Sequence, residues 1–170
     1  MSYRIGSGEG YYGDDVLRAL PMLEAGAVDA LAFEALSELT LAILRRQTQR
    51  DPNLGYTRDL ELIARKLLPL ALAQGVPIVT NGGGLNPRGG ANAIASIARE
   101  LDLAALRIAV VTGDDVLDRV ASIEGLDAAD TPALSANVYL GAAPIVEALQ
   151  RGANVVVTGR VADPSLYLAL

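Results

Sequence analysis

The sequence predicts an α/β domain: a three-layer, mainly parallel, Rossmann-like sheet. Three observations point there. Five short apolar runs are separated by segments of helical periodicity, the rhythm of strands joined by right-handed helical crossovers. The last three runs are unbroken Val, Ile, Leu and Ala stretches, as expected of strands covered on both faces. Hydrophobic residues make up 51% of the chain and aromatics only 4%, so the core must be built from small and branched aliphatic side chains. The first half of a β/α barrel would share this rhythm and is the alternative.

Taken in order, the expected strands are Tyr3–Ile5, Val28–Phe33, Val76–Thr80, Leu106–Thr112 and Asn154–Thr158. Helical patterns lie near 15–25, 37–50, 58–74, 87–101, 115–123 and 142–151, and a further apolar helix opens at Pro164. Pro21 and Pro69 fall inside two of these patterns and should kink or divide them. Gly26, Gly75, Gly125 and Gly152 stand where helix ends are wanted. The strand-to-helix junctions share a grammar. The pentapeptide Gly-Asp-Asp-Val-Leu occurs at both 13–17 and 113–117, and the third and fifth junctions end in Asn86-Pro87 and Asp163-Pro164. Asp14, Asp114, Asn86 and Asp163 are thereby expected as helix caps, with Asp15 and Asp115 as solvated first-turn acids.

The 170 residues fit a single domain, 1–170, with no linker or low-complexity segment. A net charge of −6 and the lack of any long basic run argue against a nucleic-acid partner. No basic stretch leads into an apolar one at the N-terminus, and no run reaches the length of a membrane span, so no membrane is expected and a cytoplasmic location is the default. The chain contains neither Cys nor His, which removes thiolate nucleophiles, Ser-His dyads and most zinc sites.

In a parallel sheet, ligands bind beyond the carboxyl ends of the strands. The residues expected there are Gly6-Ser7-Gly8, Glu34, Asn81-Gly82-Gly83-Gly84, Thr112-Gly113-Asp114 and Thr158-Gly159-Arg160. The Gly6–Gly10 stretch resembles a dinucleotide loop, yet Tyr11 occupies the position of the third glycine. The Asn81–Asn86 loop could turn successive backbone amides toward a phosphate or carboxylate, with the start of the following helix behind it. Alternation would place Ser135, Asn137 and Tyr139 on one face of an extended segment. Asp14, Asp114 and Asp163 could also gather as acids at the mouth of the sheet, although no metal is assigned, and the sequence names no cofactor.

The segments GSGEGYYGDD, FEALSELTLAIL, VTNGGGLNPRG, VVTGDDVL, SANVYLGAAPIVEAL and GANVVVTGRVADPSLYLA, in that order, resemble the N-terminal region of the acyclic terpene utilisation AtuA family. Family members are longer, so the resemblance implies that this chain is the N-terminal portion of an AtuA-like protein. It also implies a place in the breakdown of citronellol- or geraniol-type terpenes or related branched acids, a route that runs through acyl-CoA thioesters. On that basis the expected partner is a small-molecule substrate, an acyl-CoA or other carboxylate-bearing compound, and a homo-oligomer is left open. Glu34 and Asp114 are the expected catalytic acids or bases, and the loop glycines, Asn81 and Arg160 the anion holders. The alternative is a non-catalytic subunit that binds a nucleotide or CoA ester.

Overall fold

The structure is a computed structural model that describes residues 2–122 and 133–170. The expected stop at Gly125 and the end of the 115–123 helix lie outside the described residues. Five parallel strands form one sheet in the order β1-β2-β3-β5-β4. They are β1 Ile5–Glu9, β2 Ala30–Phe33, β3 Ile78–Thr80, β4 Ile108–Val111 and β5 Val155–Thr158. The helices are α1 Leu20–Glu24, α2 Glu38–Arg50, α3 Asp59–Lys66, α4 Leu68–Gln74, α5 Pro87–Glu100, α6 Ala143–Gln150 and α7 Asp163–Leu168. Two 3-10 helices, Val16–Ala19 and Leu117–Ser122, begin within the repeated pentapeptides.

Strand alternation divides the apolar side chains between two layers of helices. On one face, Leu31, Phe33, Ile78, Val155 and Val157 pack against Leu23, Leu60, Ile63, Leu68 and Ile94, which brings α1, α3, α4 and α5 onto the same side. On the other, Ala32, Val79 and Val156 meet Ile145 of α6 and Leu166 of α7. The three central strands, β2, β3 and β5, are fully buried, in line with their unbroken apolar sequence. A smaller cluster of Leu36, Leu41 and Leu44 seats α2 near the strand ends, with Leu85 against it. Pro69 stands in the first turn of α4, where its missing amide costs nothing, and so divides the 58–74 pattern at Leu67.

The layering creates a crevice. The chain leaves β3 into α5 on one face and leaves the adjacent β5 into α7 on the other, so the two connections diverge between neighbouring strands. In open α/β sheets, ligands bind at such a switch point.

One strand differs from expectation. The structure extends β1 to Glu9, so Gly6, Ser7 and Gly8 belong to the strand and not to a loop. Position 8 must be glycine because the Phe33 ring of β2 lies where a Cβ would stand, and a Cβ on Gly6 would come within 2.8 Å of Leu31. Glycine's low strand propensity hides the strand in the sequence. With the segment in ladder pairing to β2, the dinucleotide-loop reading falls away.

Candidate functional site

The site grows from five chain segments that meet beyond the carboxyl ends of the sheet. The first follows β2. Glu34 is half-buried there, and its Oε1 accepts from the Leu36 amide at 3.1 Å and from Asn81 Nδ2 at 3.1 Å. Burial raises its carboxyl above the ordinary range; Asn81 opposes this, Asp163 adds to it, and the Leu36 amide and Arg160 oppose it in turn. Asn81 itself is 0% exposed. Its Oδ1 accepts from the Ala35 amide at 2.7 Å, so both ends of the side-chain amide hold the chain after β2. Asn81 is therefore a positioning residue for Glu34.

The glycines after Asn81 form a packed corner, which corrects the expectation of an open nest of amides. Gly82 N donates to Thr80 Oγ1 at 2.9 Å. Gly84 N donates to the Asn81 carbonyl, Leu85 N to that of Gly55, and Asn86 N to that of Gly83. A Cβ on Gly83 would lie 2.5 Å from the Thr158 carbonyl oxygen and one on Gly84 would strike Leu44. Gly83 is thus needed for close approach of backbones across the β3/β5 crevice, and Gly84 for the approach to Leu44 and the Gly55 carbonyl. Asn86 caps α5 as expected, accepting from Gly89 N at 2.9 Å.

The segment 135–140 crosses the ends of β4 and β5 like a lintel. Val116 N donates to the Ala136 carbonyl at 2.9 Å and Val138 N to that of Asp114 at 2.8 Å. Leu140 N then reaches the Arg160 carbonyl, and Ala162 N returns to Leu140. Because the segment is extended, Ser135, Asn137 and Tyr139 share a face. Together with Arg160, Glu38 and Leu41 they line a cleft of about 180 Å³.

Asp114 and Arg160 hold the two sides of this arrangement together. Asp114 is 3% exposed, and its Oδ2 accepts from Arg160 N at 2.7 Å and from Asn137 Nδ2 at 2.9 Å. Gly159 is pressed against the same carboxylate, which leaves no room for a Cβ. Asp114 therefore does not cap the following helix; Asp115 does, accepting from Leu117 N. Arg160 is 5% exposed. Its Nη1 donates to the Leu36 carbonyl, its Nη2 to the Tyr139 hydroxyl at 2.7 Å, and its guanidinium stacks 4.2 Å from the centroid of the Tyr139 ring. Glu38 and Asp163 place carboxylate oxygens 3.7 Å and 3.8 Å from Nη2.

The remaining expected residues fall elsewhere. Thr112 and Gly113 line a neighbouring cleft of about 220 Å³ with Gly84, Asn86 and Arg88. Thr158 is buried and donates to the Gly159 carbonyl. Ser7 faces α7, with its hydroxyl 2.9 Å from that of Tyr167. Asp14 is not a helix cap: it clips its own loop by accepting from the amides of Gly10 and Tyr11, while Asp15 caps the 3-10 helix. Asp163 opens α7 without a side-chain cap bond and stands beside Arg160 instead. Among the described residues, no group of three or more acids is placed to hold a metal ion.

Two residues absent from the sequence-based selection stand out. Glu38 lies in the first turn of α2, and a first-turn acid so soon after a strand could have been read as a strand-end group. Glu9 closes β1 and is 3% exposed, with no partner for Oε1. Burial first, then the nearby Asp59, Asp14 and Glu34 carboxylates, push it up to about 9. Glu9 is therefore protonated at neutral pH, a state that position in the sequence alone does not signal.

Loops that meet at a switch crevice, with a buried arginine and a raised carboxyl beside it, define an α/β protein with a polar cleft at the carboxyl edge of its sheet. The chain belongs to the acyclic terpene utilisation family: the profile described as "Acyclic terpene utilisation family protein AtuA" matches residues 3–170. Neither the curated proteins nor the solved structures contain a match to this chain. No described helix is long and apolar enough to cross a membrane.

Proposed function

We propose that this protein binds and transforms a carboxylate-bearing substrate, a free acid or an acyl-CoA thioester, in the catabolism of acyclic terpenes or related branched acids. The observation that carries this reading is the convergence of Ser135, Asn137, Tyr139 and Arg160 on one cleft, with Glu34 close enough to feel the charge of Arg160. Arg160 supplies the positive charge for the anionic group. Glu34 acts as the general base, since a carboxyl raised toward neutrality abstracts a proton more effectively than one in the ordinary range. Ser135, Asn137 and Tyr139 orient the substrate through their hydrogen-bonding groups. Asn137 suits this role because its Oδ1 has no partner, while its Nδ2 is fixed on Asp114. Asp114 was the other expected base, but its bonds to two segments give it a positioning role.

The test is growth on an acyclic terpene as sole carbon source in a strain that depends on this protein. Glu34→Gln should abolish growth and Asn137→Ala should slow it, both with normal protein levels. Unimpaired growth of both variants would show that the site is misassigned.

A further inference from the structure

The charge balance around Arg160 says more about what its cleft accepts. Nη1 is committed to the Leu36 carbonyl and one aromatic face covers the guanidinium. Among the described residues, the carboxylates within 4 Å are Glu38 and Asp163, at 3.7 Å and 3.8 Å. Both distances exceed those of a charge-assisted hydrogen bond, and neither acid forms the two-pronged pair that a guanidinium favours. A buried cation normally has a close counter-ion. Here the Glu38 side chain is 83% exposed while that of Arg160 is 6% exposed. Glu38 also accepts from the Tyr139 hydroxyl at 3.0 Å, so it occupies the side of the cleft where both recognition groups converge.

We infer that Glu38 is an internal stand-in for the substrate's carboxylate: a free monocarboxylate displaces it from Arg160 and the Tyr139 hydroxyl, and Glu38 swings into solvent. This rests on the proposed function of the same cleft and narrows its ligand. Exchange of one carboxylate for another leaves the charge around Arg160 unchanged, and the exposed Glu38 side chain regains water at little cost. Leu41 and the Tyr139 ring supply apolar surface for a short hydrocarbon body. The cleft, at about 180 Å³, falls below the roughly 300–1,000 Å³ typical of sites for drug-sized ligands. It suits the acid end of a small branched molecule and not the nucleotide end of CoA.

The test is calorimetric titration of the protein with 3-methylbutanoate, with inorganic phosphate as a second probe, for wild type, Glu38→Gln and Tyr139→Phe. Circular dichroism melts would check that each variant is folded. Removal of the competing charge in Glu38→Gln should tighten 3-methylbutanoate binding about fivefold, the worth of one exposed ion pair. Tyr139→Phe, which removes a donor from the ligand, should weaken it. If wild type binds 3-methylbutanoate and Glu38→Gln binds no tighter, the stand-in role is overturned while the substrate site survives. Should phosphate bind as well as 3-methylbutanoate, the monocarboxylate assignment fails. No binding by wild type or Glu38→Gln would overturn both this inference and the site on which it rests.

Discussion

The two Gly-Asp-Asp-Val-Leu corners have one sequence and one local structure, yet they do different work. In both, the glycine has a positive φ, 99° at Gly13 and 116° at Gly113. In both, the second aspartate caps a 3-10 helix through the amide two residues on, at 3.2 Å from Leu17 N to Asp15 and 3.0 Å from Leu117 N to Asp115. The first aspartates part company. Asp14 is exposed and closes on the amides of its own loop, whereas the buried Asp114 binds Arg160 N and Asn137 Nδ2, residues 46 and 23 positions away. Five residues thus determine the bend and the cap. What the leading carboxylate does is decided by what lies across the strand end: β1 and β4 are the two edges of the sheet, but Asp114 after β4 meets the 135–140 segment and Arg160, while Asp14 after β1 meets its own loop.

The sharpest way to break this comparison is to delete the two leading carboxylates. Asp114→Ala leaves a buried backbone amide and a side-chain amide without their acceptor and should cost about 3 kcal/mol. Asp14→Ala, at an exposed loop, should cost under about 1 kcal/mol. Urea unfolding of both variants decides it; equal losses would mean that Asp114 is no more than a second local clip.

The next effect comes from charge near the first corner. Glu9, with its carboxyl raised to about 9, sits by Asp14, Asp59 and Glu34, whereas Asp114 of the second corner meets donors. Glu9 keeps its proton in the folded state but loses it near the ordinary carboxylate pKa when unfolded. The contribution of Glu9 to stability is therefore fullest below about pH 4.5 and declines as the pH climbs toward 9. Glu9→Gln removes this titration, and at pH 8 it should be more stable than wild type by on the order of 2 kcal/mol. Parallel pH dependences of melting for the two proteins would contradict the assignment.

The architecture was readable in the sequence because burial on both faces leaves unbroken apolar runs, and strands β2 to β5 and the divided helix at Pro69 follow from pattern and turn chemistry. Ser135, Asn137 and Tyr139 could be placed on one face because period-two alternation is itself a sequence property. β1 was legible only in part, because glycines chosen to accommodate Phe33 and Leu31 imitate a loop. The partners of Asn81 and Asp114 were hidden for a different reason. A side chain that reaches across 46 or 47 positions reports on tertiary neighbours, and local spacing carries no record of them. Glu38 was overlooked because its significance depends on the buried Arg160, 122 positions later in the sequence.

The smallest effect tests the similarity of the corners and not their difference. A Cβ at Gly13 or Gly113 meets nothing within 4 Å, so alanine at either position is opposed only by the positive φ. The two substitutions should each cost about 1 kcal/mol, although one corner closes on its own loop and the other lies against the lintel. Equal shifts in the urea midpoint would show that the pentapeptide carries the same backbone strain in both settings. A much larger loss at Gly113 would place that bend under tertiary constraint as well, and would extend the difference between the corners from the carboxylate to the backbone.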